Sequence, residues 1–169
     1  MVEKHEVLAI IPARGGSKGI PRKNIRDFAG FPLLAYSITA GLRSAYVTRV
    51  IVSTDDEEIA SVAKRFGAEV PFLRPEELAQ DHTTDFPVLV HCLDWLQAEE
   101  NYSPDIILWL RPTSPVRPKR LVDDAVCMLL AYTEKGTARP EEVMEALGCR
   151  EGVDYLLGLM VRTNVSLAT

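Results

Sequence analysis

The sequence predicts an α/β fold, a parallel β-sheet of order 3-2-1-4 with helices packed on it. Three observations predict it. Four short apolar runs, at residues 7–11, 49–53, 68–72 and 105–110, alternate with stretches of helical periodicity. That alternation implies βαβ crossovers, and such crossovers demand parallel strands. The first run breaks directly into a loop rich in glycine and proline, at the strand end where open α/β sheets bind ligands.

The first strand, residues 7–11, is wholly apolar, as a strand buried on both faces must be. The loop after it holds Gly15, Gly16 and Gly19 and four cations, Arg14, Lys18, Arg22 and Lys23. Glycines let backbone N–H groups approach an anion, and concave runs of such groups bind phosphate. Four like charges repel, and a polyanion between them removes the repulsion. The spacing fits neither the Walker loop nor the dinucleotide fingerprint. A solvated basic turn is the competing reading.

Residues 26–32 make a turn, and Pro32 suits the first position of a helix running to about Arg43. Leu33, Leu34, Tyr36, Ile38 and Leu42 supply its apolar side. Residues 49–53 are short and β-branched, the second strand. Thr54 or Asp55 caps the helix that follows, through about Phe66, and Asp56, Glu57 and Glu58 complement its positive end. Residues 68–72 form an edge strand, since Pro71 cannot donate to a central ladder. A helix over 86–99 puts Val88, Leu89, Cys92, Leu93 and Leu96 at core spacing. The fourth strand is 105–110, and Arg117-Pro118 opens a helix through about Ala131. In the tail, residues 139–147 and 152–162 read as helices, with a strand over 159–167 as the alternative. The order 3-2-1-4 puts residues 14–24 and 111–117 on opposite lips of one crevice.

One domain accommodates 169 residues, divided at about residue 131 into an α/β part that carries the phosphate-binding loop (1–131) and a mainly helical tail (132–169) packing on the sheet or a partner chain. No apolar run approaches the roughly 20 residues that span a bilayer, and no signal peptide is apparent, so a cytoplasmic setting is expected and a membrane partner is not. Cys92, Cys127 and Cys149 are too scattered for a metal site or a disulfide framework. The net charge is −5, yet residues 1–49 carry eight Lys and Arg against three Asp and Glu. Overall acidity excludes a nucleic-acid surface, and the local basic excess suits a small polyanion.

Residues 11–24, Ile-Pro-Ala-Arg-Gly-Gly-Ser-Lys-Gly-Ile-Pro-Arg-Lys-Asn, resemble the signature loop of the acylneuraminate cytidylyltransferases, the CMP-sialic acid synthetase family. Residues 52–60, Val-Ser-Thr-Asp-Asp-Glu-Glu-Ile-Ala, and 110–117, Leu-Arg-Pro-Thr-Ser-Pro-Val-Arg, match further family stretches. The resemblance runs from about residue 6 to about 126. It implies a Rossmann-like sheet of the nucleotide-diphospho-sugar transferase type and transfer of CMP from CTP to a nonulosonic acid, with release of pyrophosphate.

The resemblance also implies roles for matching positions. Arg14, Ser17, Lys18 and Lys23 form the triphosphate cradle, together with the backbone of Ala13, Gly15 and Gly16. Lys23 holds the phosphates as charge moves to the leaving pyrophosphate, and Arg14 and Lys23 are the catalytic pair. Asn24 contacts the ribose. Arg74 lies near cytosine, as do the hydroxyls of Thr83 and Thr84. Arg111, Thr113 and Ser114 face the acceptor sugar, and Arg111 stands where many relatives carry Gln. The bland alternatives are a solvated Arg22, a turn-forming Asn24, an Arg74 paired with Glu76 or Glu77, and Asp55 and Asp56 as helix caps rather than a metal pair.

Mg²⁺ and a homodimer are implied by the resemblance as well. Its metal-binding aspartates and protruding dimerising element find no matching motif after Ala131, where Asp154 is the one late aspartate. The metal ligands are therefore unassigned. The apolar residues from Val153 to Val161 predict burial against a partner. Three readings follow: an active cytidylyltransferase, a CTP- or CMP-binding module without turnover, and a nucleotidyltransferase for a different acceptor.

Overall fold

The computed structural model describes residues 5–134 and 158–161. A four-stranded sheet of order β4-β1-β5-β6 forms its centre. β1 (Val7–Pro12) pairs in parallel with β4 (Arg49–Ser53) on one side and with β5 (Ile106–Trp109) on the other. β6 (Gly158–Val161) adds an antiparallel edge strand to β5, with Ile106 opposite Val161 and Trp109 opposite Gly158.

Alternation along β1 feeds two cores. Val7, Ala9 and Ile11 point to one face with Val50, Val52, Ile106 and Leu108. There they meet α1 (Leu33–Leu42), α2 (Glu57–Arg65) and α4 (Leu121–Glu134) through Leu34, Ile38, Ile59, Val122 and Val126. Leu8, Ile10, Ile51, Ile107 and Trp109 point to the other face and pack on Val88, Leu89, Cys92 and Leu96 of α3 (Asp85–Glu100). A wholly apolar β1 is thus explained by burial on both faces.

Three expectations are corrected. The order 3-2-1-4 holds only for strands 2-1-4. The expected third strand is reduced to a single bridge beyond β4, Ile51 opposite Glu69. Glu69 exchanges two hydrogen bonds there, at 2.9 Å with Val52 and 2.8 Å with Val50, and two residues on Pro71 has no N–H to continue the ladder. Within the tail, residues 158–161 form β6 where a helix over 152–162 was the first expectation, while α4 runs on to Glu134. The expected helix at 139–147 and residues 153–157 lie outside the described residues.

Local boundaries shift too. Residues 27–32 fold into a small hairpin, β2 (Asp27–Phe28) and β3 (Phe31–Pro32). Its two-residue turn has φ 51° at Ala29 and 91° at Gly30, the positive angles such turns require. Pro32 therefore precedes α1 as its cap residue. α1 buries Leu34, Ala35, Ser37, Ile38 and Gly41, while Leu42 stays 49% exposed. The cap of α2 is Asp56, whose Oδ1 accepts from the Ile59 amide at 2.9 Å. α4 begins at Leu121, four residues past Arg117.

Candidate functional site

A cavity of about 240 Å³ opens beside the carboxyl ends of the parallel strands. The loop after β1 supplies Arg14, Ser17, Lys23 and Asn24. The segment before α3 supplies Arg74, Asp81, Thr83 and Thr84, the first residue of α3 supplies Asp85, and the loop after β5 supplies Arg111 and Thr113. Nine residues singled out from the sequence therefore share one cavity. Five do not line it: Ala13, Gly15, Gly16, Lys18 and Ser114. Ala13 is fully buried, and its amide donates to the Ser53 carbonyl at 2.9 Å.

The loop is held from behind by the start of α2. The Gly15 amide donates to Asp55 Oδ1 at 3.0 Å. A Cβ on Gly15 would stand 2.8 Å from Asp56 Oδ2, so only glycine lets the loop lie this close. Arg22 is partly exposed but committed to ion pairs. Its guanidinium pairs with Asp56 and Glu58, and the Asp56 hydrogen bond is the largest influence raising its pKa. Burial alone would raise the Asp56 carboxyl, but Arg22 and the Ile59 amide hold it below its ordinary value. Arg22 also takes a left-handed backbone, φ 56°, and the Lys23–Ile25 helical turn starts immediately after it.

Asn24 is only 6% exposed, and its Nδ2 donates to the Arg14 carbonyl at 2.9 Å, fixing the loop's bend. Arg74 is equally buried. It makes no ion pair with Glu76 or Glu77 among the described residues. Its Nη2 donates to the Ser53 carbonyl at 2.7 Å and its Nη1 to the Leu78 carbonyl at 3.3 Å, while Nε is buried with no hydrogen-bond partner. Burial lowers the Arg74 pKa, Asp55 opposes the shift, and Arg14 adds to it.

Two cations of the cavity, Arg14 and Arg111, have internal carboxylate partners. Asp81 bridges Arg14 Nη2, at 2.8 Å, and Lys18 Nζ. The hydrogen bond from Lys18 leads the causes that lower the Asp81 carboxyl. Arg111 pairs with Asp85 at the start of α3. Lys23 has no carboxylate within ion-pair distance among the described residues. Asp81 and Asp85 were not among the site residues expected from the sequence, which took Thr83 and Thr84 from this segment and read Asp85 as a possible helix cap. Their signal was their sign: carboxylates beside a crowd of cations.

The cavity lies where the parallel strands of an α/β sheet end and is lined by cations, hydroxyls and two carboxylates. The chain belongs to the cytidylyltransferase family, whose model matches residues 8–145. The pseudaminic acid cytidylyltransferase of Campylobacter jejuni subsp. jejuni serotype O:2 is 44% identical over 118 residues, 70% of this chain and 50% of that protein. The CMP-N,N'-diacetyllegionaminic acid synthase of Legionella pneumophila subsp. pneumophila is 43% identical over 120 residues, 71% of this chain and 51% of that protein. The chain thus spans about half the length of the curated relatives it matches. A solved CMP:2-keto-3-deoxy-manno-octonic acid synthetase, complexed with CTP, shares the fold with a TM-score of 0.61 at 24% identity, covering 78% of this chain and 48% of that one.

The described residues do not fit a resident Mg²⁺. No group of three or more His, Cys, Asp or Glu among them could hold a metal ion. The two carboxylates lining the cavity, Asp81 and Asp85, are both engaged by cations. Mg²⁺ in nucleotide sites is held by one or two carboxylates together with phosphate and water oxygens, and a carboxylate already paired with a cation is a poor ligand. Among the described residues no helix is long and apolar enough to cross a membrane.

Proposed function

We propose that this chain carries the nucleotide site of a cytidylyltransferase that transfers CMP from CTP to a nonulosonic acid. The observation behind the proposal is the convergence on one cavity of Arg14 and Lys23, Asn24 and Arg74, and Arg111 and Thr113. In this reading Arg14, Ser17, Lys18 and Lys23 take the triphosphate, with the Ala13, Gly15 and Gly16 backbone behind them. Asn24 takes the ribose, and Arg74, Thr83 and Thr84 the base. Arg111, Thr113 and Ser114 take the acceptor, its carboxylate on Arg111.

The 2-hydroxyl of the sugar attacks the α-phosphorus, a new O–P bond forms, and the bond to the β-phosphate oxygen breaks. The hydroxyl proton passes to solvent. Negative charge accumulates on the departing pyrophosphate, where Lys23 neutralises it. Positioning and charge neutralisation are the whole of the protein's task in such a transfer. No step is assigned to Mg²⁺, for which the described residues offer no ligand set. A homodimer and a cytoplasmic setting complete the reading.

A pyrophosphate-release assay with CTP and a nonulosonic acid, run beside a CTP titration, tests the proposal. Turnover supports it. CTP binding without turnover selects the second reading, a binding module. Turnover only with an unrelated acceptor selects the third. Equal thermal stabilisation by CTP and ATP removes the cytosine assignment of Arg74. A monomer at micromolar concentration in light scattering removes the dimer.

A further inference from the structure

Arg117 does not line the cavity but stands behind its acceptor lip. Its Nη2 donates to the Arg111 carbonyl at 2.8 Å and its Nη1 to Ser37 Oγ at 3.0 Å. Ser37, fully buried on α1, donates to the same Arg111 carbonyl at 3.1 Å. The Ser114 amide reaches that carbonyl too, at 3.3 Å. Arg117 Nε is buried with no hydrogen-bond partner, and no carboxylate lies within ion-pair distance of the guanidinium among the described residues.

A guanidinium withdrawn from water without a carboxylate is a poor stabiliser, and an apolar side chain of similar length avoids the penalty. Stability does not explain this arginine, but its geometry does. Donors from α1 and from the segment before α4 meet on one backbone oxygen. That oxygen belongs to the residue whose side chain, with Thr113, forms the far lip of the cavity. We propose that Arg117 is a positioning residue whose guanidinium, wedged between Ser37 and the Arg111 carbonyl, holds the 111–114 loop in place for the acceptor. The assignment rests on the acceptor reading of Arg111 given above.

Burial also lowers the Arg117 pKa to about 10, so the side chain remains charged at neutral pH and its desolvation weighs against folding there. Removing the charge relieves that cost. It also strands no buried acceptor, because Ser37 and the Ser114 amide still serve the Arg111 carbonyl.

The test compares the 169-residue wild type with Arg117→Met and Arg117→Lys. The readouts are melting temperature, amide hydrogen exchange of residues 111–114, and affinities for CTP and for a nonulosonic acid. Arg117→Met should melt no lower than wild type. Exchange at Ser114 should quicken and acceptor affinity should weaken by about tenfold, the loss of one charge-assisted hydrogen bond, with CTP affinity nearly unchanged. Arg117→Lys should restore part of both.

Unchanged exchange overturns the proposal. So does faster exchange with unaltered acceptor affinity, or a lower melting temperature with equal losses for both ligands. If Arg117→Met does not fold, the proposal falls unless Arg117→Lys shows the split. A wild type that binds no nonulosonic acid defeats the acceptor reading, while the exchange measurement still decides whether Arg117 holds the loop.

Discussion

The four cations of the loop after β1 have three fates, and each fate predicts a different mutant. Lys23 lines the cavity with no carboxylate partner among the described residues, so its charge is available to a ligand. Lys23→Ala should weaken CTP by about 1–3 kcal/mol in calorimetry, the value of a charged hydrogen bond. An unchanged affinity would remove Lys23 from the site. Arg22 is committed to Asp56 and Glu58, so Arg22→Ala should lower thermal stability more than CTP affinity. Arg14 and Lys18 share Asp81, and in the proposed triphosphate cradle a phosphate would compete with that carboxylate. Asp81→Asn should therefore tighten CTP and pyrophosphate binding several-fold, because the ligand no longer displaces a competing charge. Weaker binding would make Asp81 part of the binding surface instead. The sequence showed the cations but not their partners. Charge crowding is local, whereas Asp81 meets Arg14 only after the segment before α3 has folded across the cavity.

The α2 start connects the fold to the site. Asp56 caps the helix and also receives Arg22, so one side chain ties the loop to the element behind it. Asp56→Ala should lower the unfolding free energy by about 0.5–2 kcal/mol in denaturant titration, the usual cost of losing an N-cap. A change smaller than that range would show the Ile59 amide satisfied some other way. β1 and β4 were legible in the sequence because a short β-branched or wholly apolar run has few alternatives. Residues 68–72 looked similar, but Pro71 limited their pairing to Glu69. β6 was not legible as the first choice. An apolar stretch such as 152–162 satisfies helix and strand templates equally, and pairing with β5 decides the matter through contacts far along the chain. The cavity was legible for a different reason: strand alternation fixes where parallel strands end, so loops at 14–24 and 111–117 had to face each other.

Two cores on opposite faces of one sheet make the molecule cooperative, and the α3 face contains a titratable group where acid can enter. His91 lies edge-on to Phe72, ring centroids 4.9 Å apart, and its Nδ1 is buried without a hydrogen-bond partner among the described residues. Burial lowers its pKa, the positive charge of Arg74 lowers it further, and Asp94 and Glu77 oppose the shift. The folded protein therefore keeps the imidazole neutral at a pH where the unfolded chain, with an ordinary value of 6.5, takes up a proton. Between those two values the unfolded state binds more protons, so stability rises with pH and is lost as pH falls below about 6.5. Asp56 has the opposite chemistry and a lower window. Its contribution is present above its ordinary value of 3.8 and disappears as pH falls through its depressed folded value. Acid unfolding should then proceed in two steps. The first belongs to His91 and begins near neutrality, well above the carboxylate range. Melting temperature recorded from pH 8 to pH 3 should show both, and His91→Gln, which keeps a polar side chain of similar reach but cannot take a proton, should flatten the first and leave the second. A wild-type melting temperature constant from pH 7 to pH 5, or an unchanged first step in His91→Gln, would show that His91 is not the group through which acid weakens this face.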